Sequence, residues 1–449
     1  MEPGAWIAIT GLPVKAKRNL FTTPPPAFPR SKALPVPPDH SQTPPPDAPG
    51  LDSPPTPPYP YPLLKTEGAS QLLRELVAIP SVNPALAPDP AASIRTGESR
   101  VADFLLHRAR KAGLDASTQP VEPGRVNLIV KLTPSQPVKH RIILAPHLDT
   151  VDAEPAHFTP VIKAGRLHGR GACDTKGSVA AMFQALANLA KGSSSNKGGS
   201  SRPAHTEIIL AAMADEEVGQ KGSRAFAKQG IQADLAIVGE PTRLQVVTAH
   251  KGDLWLKLET RGKAAHGSRP DLGRNAVHAM ALVVDLLESQ YAQALKSHRH
   301  PLLGHATISV GTIRGGRQPN IVPDLCSIHA DRRTIPGETE PSVRREILAL
   351  LRLHGLKATV ADSKASPCPP METPQDLPMV KSFLRAAGKR NGIGAQFFCD
   401  AAILSNAGIP SIVFGPGDIA QAHTQDEWID LAMLERATAV FERFLQTMP

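Results

Sequence analysis

Four short runs rich in aliphatic and β-branched residues, 141–145, 206–214, 235–238 and 411–414, each stop at a cluster containing Gly, Pro, Asp, Glu or His. They read as strands of the kind buried in a parallel or mixed sheet, and residues 126–132 add another. Helical spacing marks 72–79, 98–112 (stopped by Gly113), 177–190, 377–390 and 430–446. This alternation predicts an open α/β sheet. In such sheets the carboxyl ends of the strands converge on one crevice. The chemistry-bearing residues of this chain sit at those ends.

The pattern is interrupted once. Residues 253–261, 306–313, 325–332 and 357–360 read as strands, with helices expected at 273–290 and 340–353. One βαββαβ pass of this length suits an inserted ferredoxin-like module. The expected division is therefore a first catalytic part at 66–250, an inserted module at 251–362 and a second catalytic part at 363–449. Residues 1–65 stand apart, because 19 of the 46 prolines lie before Leu63. Proline donates no backbone hydrogen bond, so this segment is expected to stay extended or disordered. Its first dozen residues lack a basic stretch ahead of the apolar one, so no cleaved secretory signal is expected. Residues 191–203 read as a Gly/Ser-rich surface loop.

Composition narrows the function classes. No run of eighteen apolar residues occurs, which argues against an integral membrane protein. A net charge of +9 permits nucleic-acid binding, but aromatics are only 4% and no Lys/Arg block or RNP-like run is present. The basic balance reads as an enzyme surface, with no nucleic acid and no membrane as partner. Cys173, Cys326, Cys368 and Cys399 are scattered, with no C-x-x-C pair. A disulfide framework and a structural zinc knot are not expected, and a reducing cytoplasm fits.

Five clusters carry the chemistry. His147 and Asp149 form an H-x-D at a strand end, where the carboxylate can orient an imidazole that binds metal. Alone, that pattern is equally a polar loop. Asp174, in Gly169-Arg-Gly-Ala-Cys-Asp-Thr-Lys-Gly177, precedes a helix, where it caps the helix or bridges two metal ions. The segment lacks the phosphate-loop pattern G-x-x-x-x-G-K-[ST]. Asp215, Glu216 and Glu217 end another strand and repel one another unless water or a cation satisfies them. Adjacent glutamates allow one to bind metal while the other handles protons. Glu240, before Pro241, and His423, in a Gly/Pro-rich loop, complete the set. Two histidines and several carboxylates with no thiolate suit zinc, with cobalt or manganese as alternatives. Hydrolysis by a metal-activated water follows as the expected reaction.

In this order, from about Leu72 to the C-terminus, the motifs resemble those of the co-catalytic zinc amidohydrolases. That family comprises acetylornithine deacetylase, succinyl-diaminopimelate desuccinylase, glutamate carboxypeptidase and aminoacylase. The resemblance implies a split zinc-peptidase-like catalytic domain, an inserted dimerisation domain and two zinc ions per subunit. It implies that His147, Asp174 and Glu240 hold one ion, and Asp174, Glu217 and His423 the other. Asp149 would orient His147, Glu216 would be the general base, and the Asp174–Thr175 peptide bond would be cis. In the inserted module, Gly262-Lys-Ala-Ala-His266 resembles the segment whose histidine reaches the partner subunit's site and helps hold the developing oxyanion. Asn320, in Pro319-Asn-Ile-Val-Pro-Asp324, and Arg333, in Asp331-Arg-Arg333, resemble substrate-contacting residues, the arginine pairing with a carboxylate. Without the family, His266 and Arg333 read as surface or packing residues. Gly267 stands where family members often carry Ser or Ala.

The expected function is therefore a homodimeric di-zinc amidohydrolase acting on an N-acyl amino acid or a small peptide-like amide. Acetylornithine deacetylase-like specificity comes first, and a desuccinylase or glutamate carboxypeptidase-like activity second. The rival of a different class is a non-catalytic binding homologue on the same fold.

Overall fold

A computed structural model describes residues 68–87, 95–192, 202–363 and 367–449. The Pro-rich expectation for 1–65, and most of the Gly/Ser loop expected at 191–203, lie outside the described residues. The centre is a nine-stranded mixed sheet. Four of its strands, Thr206–Ala212, His140–Pro146, Leu235–Gly239 and Ser411–Val413, lie side by side and parallel. Arg125–Leu132 and Asp115–Glu122 extend one side antiparallel. Val247–His250 runs antiparallel to Ser411–Val413 on the other, and also pairs with Met371–Glu372 and Ile393–Ala395.

Side chains along a strand alternate between faces, and the core divides accordingly. Ile142, Leu144, Ile208, Leu210, Ile237 and Ile412 face one way. They pack under the helices Ala69–Val77, Ser99–Lys111, Lys176–Lys191, Pro378–Ala386 and Leu431–Gln446. Phe383, Phe414, Phe441 and Phe444 interlock edge-on within this layer. Ile143, Ala145, Ile209, Ala211, Ala236 and Val238 face the other way, toward Phe226, Ala402 and Leu404. Burial on both faces is why these strands read as unbroken apolar runs.

Residues Gly252–Asp362 supply a second sheet of four antiparallel strands. In chain order they are Gly252–Arg261, Thr307–Gly315, Leu325–Thr334 and Thr359–Asp362, and in space they run second, third, first, fourth. Helices Ala276–Leu286 and Glu340–Leu353 cover one face, burying Leu254, Leu256, Leu258, Met280, Val283, Ile328, Val343 and Ile347. This is the βαββαβ topology expected of a ferredoxin-like module.

Three local expectations shift. The first helix of this module begins at Ala276, not 273, because the Asn275 side chain accepts the N–H groups of Val277 and His278 and caps it. It then passes through a π turn, Leu287–Tyr291, into Ala292–Leu295. The edge strand Asp115–Glu122 was not expected. Its sequence is polar, and Pro120 sits at a register irregularity, a placement an edge tolerates.

Candidate metal centre

Parallel strands place their carboxyl ends on one edge, and here four such ends carry the site. His140–Pro146 delivers His147 and Asp149, Thr206–Ala212 leads to Glu216 and Glu217, and Leu235–Gly239 delivers Glu240. The loop after Ser411–Val413 carries His423, and the turn before Lys176–Lys191 carries Asp174. Two groups result, each with ligand atoms close enough to share one ion: His147, Asp174 and Glu240, and Asp174, Glu217 and His423. Asp174 belongs to both. Its Oδ1 lies 3.0 Å from His147 Nε2 and its Oδ2 3.4 Å from His423 Nε2. Glu217 Oε2 is 2.9 Å from His423 Nε2, and Glu240 Oε1 is 3.9 Å from His147 Nε2. The Asp174–Thr175 peptide bond is cis, and Thr175 Oγ1 donates to the Gly239 carbonyl at 2.8 Å.

His147 is oriented by the backbone carbonyl of Asp149, with the carboxylate of the same residue close by. Its Nδ1–H donates to the backbone carbonyl of Asp149 at 3.0 Å, while the Asp149 carboxylate stands farther off at 3.5 Å. That bond fixes the tautomer and aims the Nε2 lone pair at the cluster. The carboxylate is engaged elsewhere. It accepts the N–H groups of Glu216 and Glu217 at 3.0 and 3.1 Å, and Asn83 Nδ2 at 2.8 Å.

The three consecutive carboxylates separate. Asp215 adopts a left-handed backbone, φ 68°, and turns away to Arg125 at 2.7 Å and Asn83 at 3.0 Å. Arg125 is also held by Glu98. Only Glu216 and Glu217 then face the cluster.

The donor set fits a pair of divalent cations. Glu217 Oε1 and Glu240 Oε1 are buried and have no hydrogen-bond partner. Burial, reinforced by the Asp174 charge, pushes Glu217 up to about 7, and burial pushes Glu240 well above the usual carboxylate range. Hydrogen bonds to Asp174 and Glu217 raise His423 to about 10. Burial opposes ionisation of Asp174, but bonds with His147 and His423 outweigh it and hold that carboxyl below its ordinary range. Buried acids that resist losing protons, beside imidazoles that hold theirs, form the environment a dication relieves. Cys173, next to Asp174 in the chain, belongs to neither ligand group. Burial, then the charges of Glu427 and Asp174, push its thiol well up. All four cysteines are free and buried.

Glu216 is half-buried beside these groups, and burial followed by the Glu240 charge raises its carboxyl well above the ordinary value. His266, Asn320 and Arg333 belong to neither ligand group. His266 is exposed, its Nδ1 2.7 Å from Ser268 Oγ. Gly267 donates its N–H to the Asn320 carbonyl at 2.7 Å. A Cβ at position 267 would lie 2.9–3.0 Å from Asn320 backbone atoms, which explains glycine there and presses the His266 and Asn320 segments together. Arg333 pairs with Asp331 at 2.8 Å and lies over the Phe398 ring.

Sequence reading missed three buried contributors. Asn83 ties Asp149 to Asp215. Asp400 accepts from Ser223 and is pushed up to about 7 by burial. Glu427 accepts the backbone N–H of Asp174 at 3.0 Å. None stands in a motif, and their only signal is polar identity near an apolar segment.

Residues 143–447 match the peptidase family M20/M25/M40. An acetylornithine deacetylase from Proteus mirabilis is 31% identical over 382 residues, covering 81% of this chain and 92% of that protein. Among solved structures, aminopeptidase PepT from Bacillus cereus superposes with a TM-score of 0.66 at 21% identity, over 84% of this chain and 97% of that one. YXEP from Bacillus subtilis, described as a dinuclear metal-binding M20 peptidase, superposes at 0.58 with 14% identity, over 84% and 96%. No described helix is long and apolar enough to cross a membrane.

Proposed function

The chain belongs to peptidase family M20/M25/M40 and is a metal-dependent hydrolase of amide bonds, and from that premise we propose an acetylornithine deacetylase-like enzyme that removes the acyl group of an N-acyl amino acid. The observation that carries the reading is the pair of three-ligand groups sharing Asp174, with Glu216 beside them. The naming of the Proteus relative supports the substrate class.

His147, Asp174 and Glu240 would hold one zinc ion, and Asp174, Glu217 and His423 the other. When bound, such ions lower the pKa of water and polarise the amide carbonyl. Glu216 takes the proton from the attacking water as the new C–O bond forms. It then passes that proton to the departing nitrogen as the C–N bond breaks, leaving a carboxylic acid and a free amine. Burial, then the Glu240 charge, raises this carboxyl above its ordinary value, which suits a group that must both take up and return a proton. Asp149 sets the direction of Glu216 through its backbone. His266 supplies an oxyanion contact to the partner subunit of a homodimer, and Arg333 releases Asp331 to pair with the substrate carboxylate. The exposure of His266 supports a target outside its own chain.

A hydrolysis screen of the zinc-loaded protein tests the reading. N-acetylornithine should turn over faster than N-succinyl-diaminopimelate, other N-acetyl amino acids and dipeptides. Preference for a dipeptide would replace the deacetylase assignment, and no turnover of any amide would leave only a binding protein.

A further inference from the structure

We propose that Glu427 is a positioning residue for the second metal site, fixing the loop that carries Asp174 to the segment that carries His423. The inference rests on the reading of Asp174, Glu217 and His423 as ligands. Glu427 is 3% exposed, and its carboxylate is fully engaged. Oε1 accepts the N–H of Cys173 at 2.8 Å and of Asp174 at 3.0 Å. Oε2 accepts the N–H of Gly171 at 2.9 Å and Arg170 Nη1 at 2.7 Å. One side chain thus satisfies three amides of a buried loop that has no strand partner for them.

A small sheet sets up this contact. Val161–Lys163, Arg166–His168 and Trp428–Asp430 pair antiparallel, with Trp428 opposite His168. That register brings Glu427 alongside Gly169, whose N–H donates to the Glu427 carbonyl at 3.0 Å. Gly171, at φ 81°, lets the loop curl its amides inward around the carboxylate. Arg170 adds a second tie, donating from Nη2 to the carbonyl of Thr424 at 3.0 Å, one residue after His423.

His423 needs such an anchor. Its side chain is 56% exposed, its backbone is left-handed at φ 62°, and it lies outside any helix or strand. The first site differs, because His147 and Glu240 directly follow central strands held by sheet hydrogen bonds. It shares only Asp174 with the Glu427 clamp. Loss of the clamp should therefore loosen two ligands of the second site and one of the first.

The test is competitive zinc titration of the full-length wild type and Glu427→Gln against a chromogenic chelator, resolving two binding steps. The glutamine places an NH2 against either the Cys173 and Asp174 N–H groups or the Gly171 N–H and Arg170. One of the two steps should lose roughly 10- to 100-fold in affinity while the other changes far less, and excess zinc should restore turnover. A folded Glu427→Gln that binds both ions with wild-type affinity overturns the inference. So does an equal loss at both steps. If Glu427→Gln does not fold, Arg170→Lys decides by the same criteria, since one ammonium cannot bond Glu427 and Thr424 in the guanidinium's fork geometry. A wild type that holds fewer than two ions defeats the underlying ligand reading instead.

Discussion

The carboxylate of Asp149 accepts the backbone N–H of Glu216 at 3.0 Å, so the residue after the metal-facing histidine turn also aims the proposed base. Its other oxygen accepts Glu217 N–H and Asn83 Nδ2. Asp149→Asn must set an N–H against an N–H whichever way its amide points. We expect kcat to fall roughly 10- to 100-fold, as for other residues that orient metal ligands, with zinc content near wild type. Unchanged kcat would remove Asp149 from the positioning of Glu216.

The adjacent glutamates should separate on substitution. Glu216→Gln should keep both metals and lose at least about a hundredfold in activity, the scale of a general base. Glu217→Gln should lose metal. Zinc stoichiometry beside turnover checks both, and the opposite pattern reverses the assignment.

His266 should act in trans. Glu216→Ala and His266→Ala proteins, each nearly inactive, are unfolded and refolded as a mixture. With random association, half the dimers are mixed, and one site in each has an intact Glu216 and the partner's intact histidine. Activity should return to roughly a quarter of wild type. No recovery, with mixed dimers confirmed by mass, would place His266 in its own chain's site or outside catalysis.

His250 provides a pH test away from the ligands. It is fully buried on Val247–His250, its Nδ1–H donating to the Lys251 carbonyl at 2.7 Å and its Nε2 without a partner. Burial pushes the imidazole down to about 4 from an ordinary 6.5. Between those values the unfolded chain binds the proton and the folded chain does not, so stability falls as pH drops from 6.5 to 4 and this contribution levels off below. The loss amounts to up to about 3 kcal/mol. Urea unfolding across that window should show a shallower decline for His250→Asn. Parallel curves would show that His250 protonates equally in both states.

The parts legible in the sequence share a physical cause. Strands such as Leu235–Gly239 are buried on both faces, so their apolar runs are unbroken and their ends are marked by the polar residues that follow. The same property marks His147, Glu217, Glu240 and His423 as residues of one sheet edge. What escaped was polar or relayed. Asp115–Glu122 lies at the edge with a mostly exposed face and shows no apolar signal. Asn83 acts through carboxylates, and Glu427 through backbone amides, of residues far away in the chain, and no local spacing encodes that. The bond from His147 to the Asp149 carbonyl depends on loop geometry, to which side-chain identity is blind.

Ser411–Val413 lies between Leu235–Gly239 and Val247–His250, strands that precede it by more than the whole inserted module. During synthesis those two strands emerge long before the one that joins them. Until then Leu235–Gly239 presents an unpaired edge of backbone donors and acceptors, the kind that recruits other chains. A chain cut before Ser411 would keep the Leu235–Gly239 edge open and would also lack His423 and Glu427. Late-made residues thus close the sheet and the hydrolytic centre in one event, so an aborted translation product should aggregate rather than persist as a stray amidase.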